Sequence, residues 1–351
     1  MNESPLTPER VEQVLGKLPA LRIGVFGDLF LDRYLDIDDA LTEPSLETGL
    51  DAYQVVGVRS YPGAAGTVVN NLSALGVGTI LPIAVIGDDG EGCELWQALE
   101  QLPGVQLAGV LRRRLAHFRT PTYTKPMLAH AGQAARELNR LDIKNRRPLR
   151  EMDALVLPAL EAAWDGLDAL IVVDQVSEAE CGVVTSGARK RLAELAQRSP
   201  GKFVLADSRE HVGEFRGVAL KPNNDECRRA VPEETSAEDG ALKLALRCGR
   251  PVFRTLGAQG MLVAEPPSVR HVTGYRVPGP IDPVGAGDST SAAIACAVAA
   301  GATPVEAAAF GNLVASITIR QIGVTGTATP QQVRAACISS PLPASGERGR
   351  A

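Results

Sequence analysis

The chain has 351 residues, 45% of them hydrophobic and 22% charged, with a formal net charge of −5. That balance predicts a sizeable buried core, and the acidic excess speaks against a general nucleic-acid or anionic-membrane binder, which needs a basic surface. No stretch approaches the roughly 20 apolar residues of a membrane span, and six scattered cysteines without a C-x-x-C pair read as core residues in a reducing compartment, so the expectation is a cytoplasmic protein.

In chain order, "MNESPLTPERVEQVLGKL" reads as a helix rather than a signal segment, with Thr7 as cap before Pro8 and the stripe Val11, Val14, Leu15, Leu18. "RIGVFGD" (22–28) is the first strand, ending in glycine and acid where α/β sheets commonly meet ligand. "GLDAYQVVGVRSYPG" (49–63) alternates without a helical stripe and reads as a pair of short inserted strands, suited to a lid. A helix over 67–76, a strand over 79–87 and a helix over 91–102 follow, then strands at 167–174, 202–207 and 217–223 with a helix at 187–199. A helix at 237–249 and strands at 251–257 and 260–265 complete the run, and residues 339–351 read as a disordered tail. Alternating strands and helices predict a mostly parallel sheet covered on both faces.

The stretch "IDPVGAGDST" (281–290) precedes the alanine-rich run "SAAIACAVAAG". Gly285 and Gly287 permit a tight turn into a helix whose first amides, with the helix dipole, favour an anion. Asp288 beside that anion can take a proton from a hydroxyl attacking a phosphoryl group; it can equally be a plain helix-capping acid. Neither a Walker A loop nor a G-x-G-x-x-G after a strand occurs, so those two phosphate-binding routes are disfavoured.

Four further segments stand in order with it: "YPGAAGTVVNNLSALG" (61–76), "VIGDDGEG" (85–92), "KPNNDE" (221–226) and "TLGAQGM" (255–261). Together with "DPVGAGDST" they resemble the signatures of the ribokinase/PfkB family of sugar kinases, over residues 22 to about 325. Within it, "GDLFLDRY" (27–34), the Pro-Gly start at 62–63 and "NRLD" (139–142) are most similar to the branch that phosphorylates the anomeric hydroxyl of a heptose 7-phosphate.

The resemblance implies a ribokinase-like three-layer α/β/α core with a mostly parallel sheet and a small β lid. It implies one kinase domain over 1–338, with lid strands inserted near 35–60 and 118–142. It implies ATP as phosphoryl donor, Mg²⁺, and a monovalent cation in many relatives. The partner is then a small-molecule sugar or sugar phosphate, with no nucleic acid or membrane, and the lid strands permit a homodimer.

Carried over by residue, Asp288 matches the base, and Gly285, Ala286 and Gly287 the anion hole. Asp28 matches the sugar-binding acid, with Gly63 and Thr67 in the glycine-rich sugar segment. Asn223 and Glu226 match the motif that organises phosphate and hydrated Mg²⁺, where a plain helix cap with a back-reaching Glu can coexist. Thr255 and Gly257 match the nucleotide segment, and Asp282 the monovalent-cation position. Arg33 and Lys125 can meet a substrate phosphate, but surface charge is the better reading for each.

The chain departs from the pattern at Ala64 and Thr67, where the signature has a second glycine and an Asn; a hydroxyl cannot reproduce the contacts of an amide. "PSLETGL" (44–50) also replaces the heptose branch's lid segment. A kinase for another sugar or nucleoside, and a catalytically silent sugar-binding protein on the same fold, therefore stay open.

Overall fold

The computed structural model describes residues 6–130 and 135–339; the reading of a tail at 339–351 lies, apart from Ser339, outside the described residues. Fourteen strands follow in chain order: β1 (Arg22–Gly27), β2 (Leu29–Pro44), β3 (Asp51–Ala64), β4 (Thr79–Gly87), β5 (Val110–Arg113), β6 (Thr122–Ala129), β7 (Arg136–Glu137), β8 (Leu141–Ile143), β9 (Ala169–Asp174), β10 (Phe203–Ser208), β11 (Ala219–Leu220), β12 (Val252–Thr255), β13 (Gly260–Glu265) and β14 (Ser268–Thr273).

Nine of them form one sheet in the order β14-β13-β12-β11-β10-β9-β1-β4-β5. Pairing is parallel from β5 through to β12 and antiparallel only at β12-β13-β14. Strand alternation explains why both faces are covered. In β9, Ala169, Ile171 and Val173 face one apolar layer while Leu170 and Val172 face the other. The first layer holds the helices Pro8–Lys17, Ala65–Ala74, Ala286–Ala299 and Pro304–Thr318; the second holds Met152–Trp164, Ser186–Arg198 and Ala237–Cys248. The core is thus a three-layer α/β/α sandwich, and Thr7 caps its first helix by accepting the Arg10 amide at 3.2 Å.

The remaining strands make a five-stranded lid, β3-β2-β6-β7 with β8 also on β6. Two local expectations change here. Residues 49–63 are not a pair of short strands: β3 is one strand, and its antiparallel partner is the 16-residue β2, bulged between Asp36 and Ile37. Residues 217–223 contribute only the two-residue strand β11 before the chain turns.

The chain passes from core to lid at Gly27–Asp28. Gly27 has φ +152°, and a Cβ there would meet the Val173 carbonyl oxygen at 2.1 Å. Only glycine lets the backbone lie this close to β9. Gly27→Ala is therefore expected to cost about 2 kcal/mol or more of stability, read as a lowered midpoint in chemical denaturation.

Candidate active site

The helix Ala286–Ala299 starts at Gly285, whose φ of +79° places it in the left-handed region. A side chain there would also strike the Thr325 methyl at 2.4 Å. Among the described residues, no side chain caps this helix. The Ala286 amide turns back to the Pro283 carbonyl, while the amides of Gly287 and Asp288 have no hydrogen-bond acceptor among the described residues. Two outward N–H groups and the positive end of the helix form an anion-binding point.

Gly285 and Asp288 open onto a cavity of about 220 Å³ between core and lid. Its core side is completed by Thr67, Gln175, Arg209 and Thr325, and its lid side by Phe30, Asp32, Tyr123, Lys125 and Arg140. Strand register brings the lid side together: Asp32 of β2 lies beside Tyr123 of β6, and Tyr34 beside Lys125. Lys125 sits 3.6 Å from the Asp32 carboxylate and donates to the Tyr34 hydroxyl at 3.0 Å. Arg140 stacks over the Tyr123 ring at 4.0 Å and is held by both oxygens of Asp142.

Behind Asp288 lies a buried charge cluster. The Lys221 ammonium meets Asp207 at 2.8 Å, and the same Asp207 oxygen accepts the Ser291 hydroxyl at 2.9 Å. Burial opposes the charge on Lys221, but Asp207, with Glu226 and Asp288, outweighs it and keeps its pKa raised. Burial, and then the Asp207 charge, push the Asp288 carboxyl up to about 7, with Lys221 and Arg209 pulling the other way. A carboxylate so poised is a competent base near neutral pH.

The expected residues distribute unevenly around this cavity. Asp288, Gly285 and Thr67 line it, Ala286 and Gly287 form the helix start, and Gly63 backs it, since a Cβ on Gly63 would meet the Asp32 carboxylate at 3.0 Å. Asp28 does not line it. Its carboxylate is buried and accepts the amides of Gln175 at 3.0 Å, Val176 at 3.2 Å and Val183 at 2.6 Å. Buried beneath those bonds, it does not reach the cavity, and the acid of the first lid strand that does is Asp32, four residues on.

Asn223 and Glu226 form a reciprocal capping box on the helix Asn224–Ala230, with the Asn223 amide on Glu226 at 2.7 Å and the Glu226 amide on Asn223 at 2.9 Å. Burial and Asp207 raise the Glu226 carboxyl. Thr255 ends β12 and Gly257 opens the following turn at φ +60°, both at the same sheet edge but outside the cavity lining. Asp282 accepts the amides of Val284 and Gly323, each at 3.0 Å, which ties its turn to the 319–323 loop. Arg33 points away to Glu91 and Glu94.

Asp32, Tyr123, Arg140, Gln175, Arg209, Asp207 and Lys221 escaped the sequence reading, and Lys125 was misjudged as surface charge. For Asp32 the alternation Phe30, Asp32, Tyr34 in "LFLDRY" was an available signal. Arg140 and Lys221 lay within the quoted stretches "NRLD" and "KPNNDE", while the others come from separate elements and carried none.

Residues 218–332 match the family model described as "pfkB family carbohydrate kinase". The chain is 30% identical over 336 residues to the bifunctional protein HldE of Mesorhizobium japonicum, covering 93% of this chain and 64% of that protein. It is 29% identical over 357 residues to HldE of Caulobacter vibrioides, covering 97% and 68%. The chain thus spans about two thirds of the length of these relatives. Among solved structures, ribokinase of Arabidopsis thaliana complexed with ribose and ATP superposes with a TM-score of 0.64 at 16% identity, covering 90% of this chain and 98% of that one. A phosphofructokinase-2 mutant from Escherichia coli gives 0.67 at 18% identity, covering 91% and 99%. At such identities the likeness is one of fold, and the fold is ribokinase-like.

The poise of Asp288 is open to direct measurement. A carboxyl-carbon NMR titration should give Asp288 a midpoint near pH 7, moving to lower pH in Asp207→Asn, where the second-largest cause of its elevation is removed and Lys221 loses its partner.

Proposed function

We propose that this chain, which resembles the pfkB family of carbohydrate kinases, transfers the γ-phosphoryl group of ATP to a hydroxyl of a sugar or sugar phosphate, with Asp288 as base. The observation that carries this reading is the placement of Asp288 in the first turn of an uncapped helix start, on the wall of a cavity shared with the lid. The acceptor hydroxyl gives its proton to the Asp288 carboxylate as its oxygen attacks phosphorus in line. The amides of Gly287 and Asp288 face the charge that develops on the phosphoryl oxygens. Asp32, braced by Lys125, orients the acceptor from the lid, and lid and core together keep water from the phosphoryl group.

ATP would lie along the sheet edge formed by Asn223, Glu226, Thr255 and Gly257. Among the described residues, no group of three or more His, Cys, Asp or Glu could hold a metal ion. One oxygen of Glu226 is spent on the Asn223 amide. That donor set fits a hydrated Mg²⁺ held through water and the phosphates themselves, which would supply charge neutralisation there. Both oxygens of Asp282 already accept amides, which accounts for Asp282 without a monovalent cation, and we assign it no step.

The acceptor that suits the lid carries a phosphate of its own, because Lys125 and Arg140 flank Asp32 and Tyr123. The anomeric hydroxyl of a heptose 7-phosphate is the first such acceptor to test, given the likeness to the HldE proteins. Thr67, on the cavity wall where the family signature has an amide, favours a different sugar phosphate as the second reading. A silent binding protein finds no support in the raised Asp288 carboxyl and the free amides beside it.

A second copy of this chain is the partner the lid suggests. β3 ends its sheet and exposes Val55, Val56 and Val58, an apolar edge that invites pairing. Val56→Lys is expected to shift a dimer to monomer in analytical ultracentrifugation; a wild-type protein that is monomeric at all concentrations would refute this.

For the chemistry, Asp288→Asn should lower kcat at least about 1,000-fold and leave ATP affinity nearly unchanged. In the wild type, protonation removes the base, so kcat/KM should fall tenfold per pH unit below about 7. A pH-independent rate from 5 to 8, or an Asp288→Asn variant retaining several per cent of activity, would exclude the assignment.

A further inference from the structure

Three cations line the cavity, and they differ in what holds them. Lys125 is paired with Asp32 and bonded to Tyr34, and both arms of the Arg140 fork are taken by Asp142. The Arg209 guanidinium has no ion pair and no hydrogen bond among the described residues. Its backbone, by contrast, is clamped. The Arg209 amide donates to the Asp174 carbonyl at 3.0 Å, and its carbonyl accepts from the Arg229 side chain. The preceding Ser208 hydroxyl donates to the buried Asp174 carboxylate at 2.7 Å and accepts the His211 amide at 2.9 Å, and the His211 ring lies 3.3 Å from the same carboxylate.

A guanidinium left unpaired on a clamped loop, exposed at the wall of a cavity, is matched to an anion that arrives with the substrates. Its position says which anion. Arg209 leaves the sheet at the end of β10, directly after Ser208. β10 lies between β9, whose end carries the cavity residue Gln175, and β11, which leads into Asn223 and Glu226. The helix that carries Asp288 packs on β9 and β10. Arg209 is also the charge, after Lys221, that draws the Asp288 carboxyl downward, and it acts on the Tyr123 hydroxyl across the cavity. It therefore stands where donor and acceptor sides meet, beside the base.

We propose that Arg209 is a catalytic residue whose guanidinium contacts the phosphoryl group in transit. The proposal rests on the kinase reading above. As the acceptor oxygen–phosphorus bond forms and the bond from phosphorus to the β,γ-bridging oxygen breaks, the acceptor proton passes to Asp288 and ADP leaves. Arg209 moves no proton and keeps its charge throughout. It faces the phosphoryl oxygens from the cavity side, opposite the amides of Gly287 and Asp288.

Because the Arg209 side chain makes no hydrogen bond or ion pair among the described residues, Arg209→Ala should fold as the wild type does. With ATP and an accepted sugar, its kcat should fall about 100-fold, with both KM values within about threefold of wild type. Arg209→Lys, which keeps the charge but loses the fork, should recover part of that loss. Unchanged kinetics would overturn the proposal. So would a rise in KM confined to phosphorylated acceptors, which would assign Arg209 to the acceptor's own phosphate.

A second measurement needs no turnover. Calorimetry should show ADP with aluminium fluoride and magnesium binding Arg209→Ala at least about tenfold more weakly than wild type, with ADP alone unaffected; equal binding of the fluoride complex overturns the proposal. If the wild type phosphorylates no acceptor, the kinase reading fails, and the fluoride comparison still decides the role of Arg209.

Discussion

The buried carboxylate of Asp28 is the tie on which the rest of the site hangs. It accepts the amides of Gln175, Val176 and Val183, while its own backbone donates to Val173 and accepts from Ala65. One residue thereby joins the end of β1, the end of β9, the loop before the helix Ser186–Arg198 and the start of the helix Ala65–Ala74. Hydrogen bonds to a charged acceptor contribute about 1.5–3 kcal/mol each, and buried amides left unmatched cost a similar amount. Burial and the neighbouring Asp174 push the carboxyl up to about 6, with the three amides pulling the other way. Gln175 and Thr67, one on each tied segment, reach the cavity as a consequence.

The same residue shows why part of the site was legible in the sequence and part was not. The anion-binding helix start is local: Gly285, Gly287 and Asp288 lie within four residues, and the conformations they need follow from residue type. The capping box of Asn223 and Glu226 is local too, and it forms as the sequence allows, without excluding a role toward phosphate. An acid at a strand end, however, can point into a cavity or back into the protein. Only the amides of β9 and its loop, about 150 residues away, decide that Asp28 turns inward. The acceptor side of the cavity depends on the register of β2 against β6, which pairs Asp32 with Tyr123 across 91 positions of chain. Alternation in β2 could have placed Asp32 on the face of Phe30 and Tyr34, but nothing local says which strand lies beside it. Lys125 looked like surface charge for the same reason.

The fold itself was easier to read than the lid, and the cause is physical. Core strands buried on both faces are continuous apolar runs such as "LDALIVVD", and their connections through helices leave few topologies. Lid strands bury one face at most, and β3 leaves Val55, Val56 and Val58 exposed. The hydrophobic pattern there cannot separate two short strands from one long strand, and the lid strands expected near 35–60 did not delimit the 16-residue β2 that begins at Leu29.

Charge placement behind Asp288 sets what the proposed base can do. Asp207 and Asp288 together would favour one shared proton, yet Lys221 is buried against Asp207 and satisfied by it, with the Ser291 hydroxyl on the same oxygen. The field of Asp207, added to burial, raises Asp288. Were Lys221 closer to Asp288 than to Asp207, the base would be a weak one, ionised far below neutral pH. The arrangement divides labour between two carboxylates that burial alone would treat alike: Asp207 holds the cation, and Asp288 holds the proton affinity. That division is built entirely from core elements, β10, the turn after β11 and the helix Ala286–Ala299. The lid side of the cavity, including the departure at 44–50, can therefore vary without disturbing the proposed base.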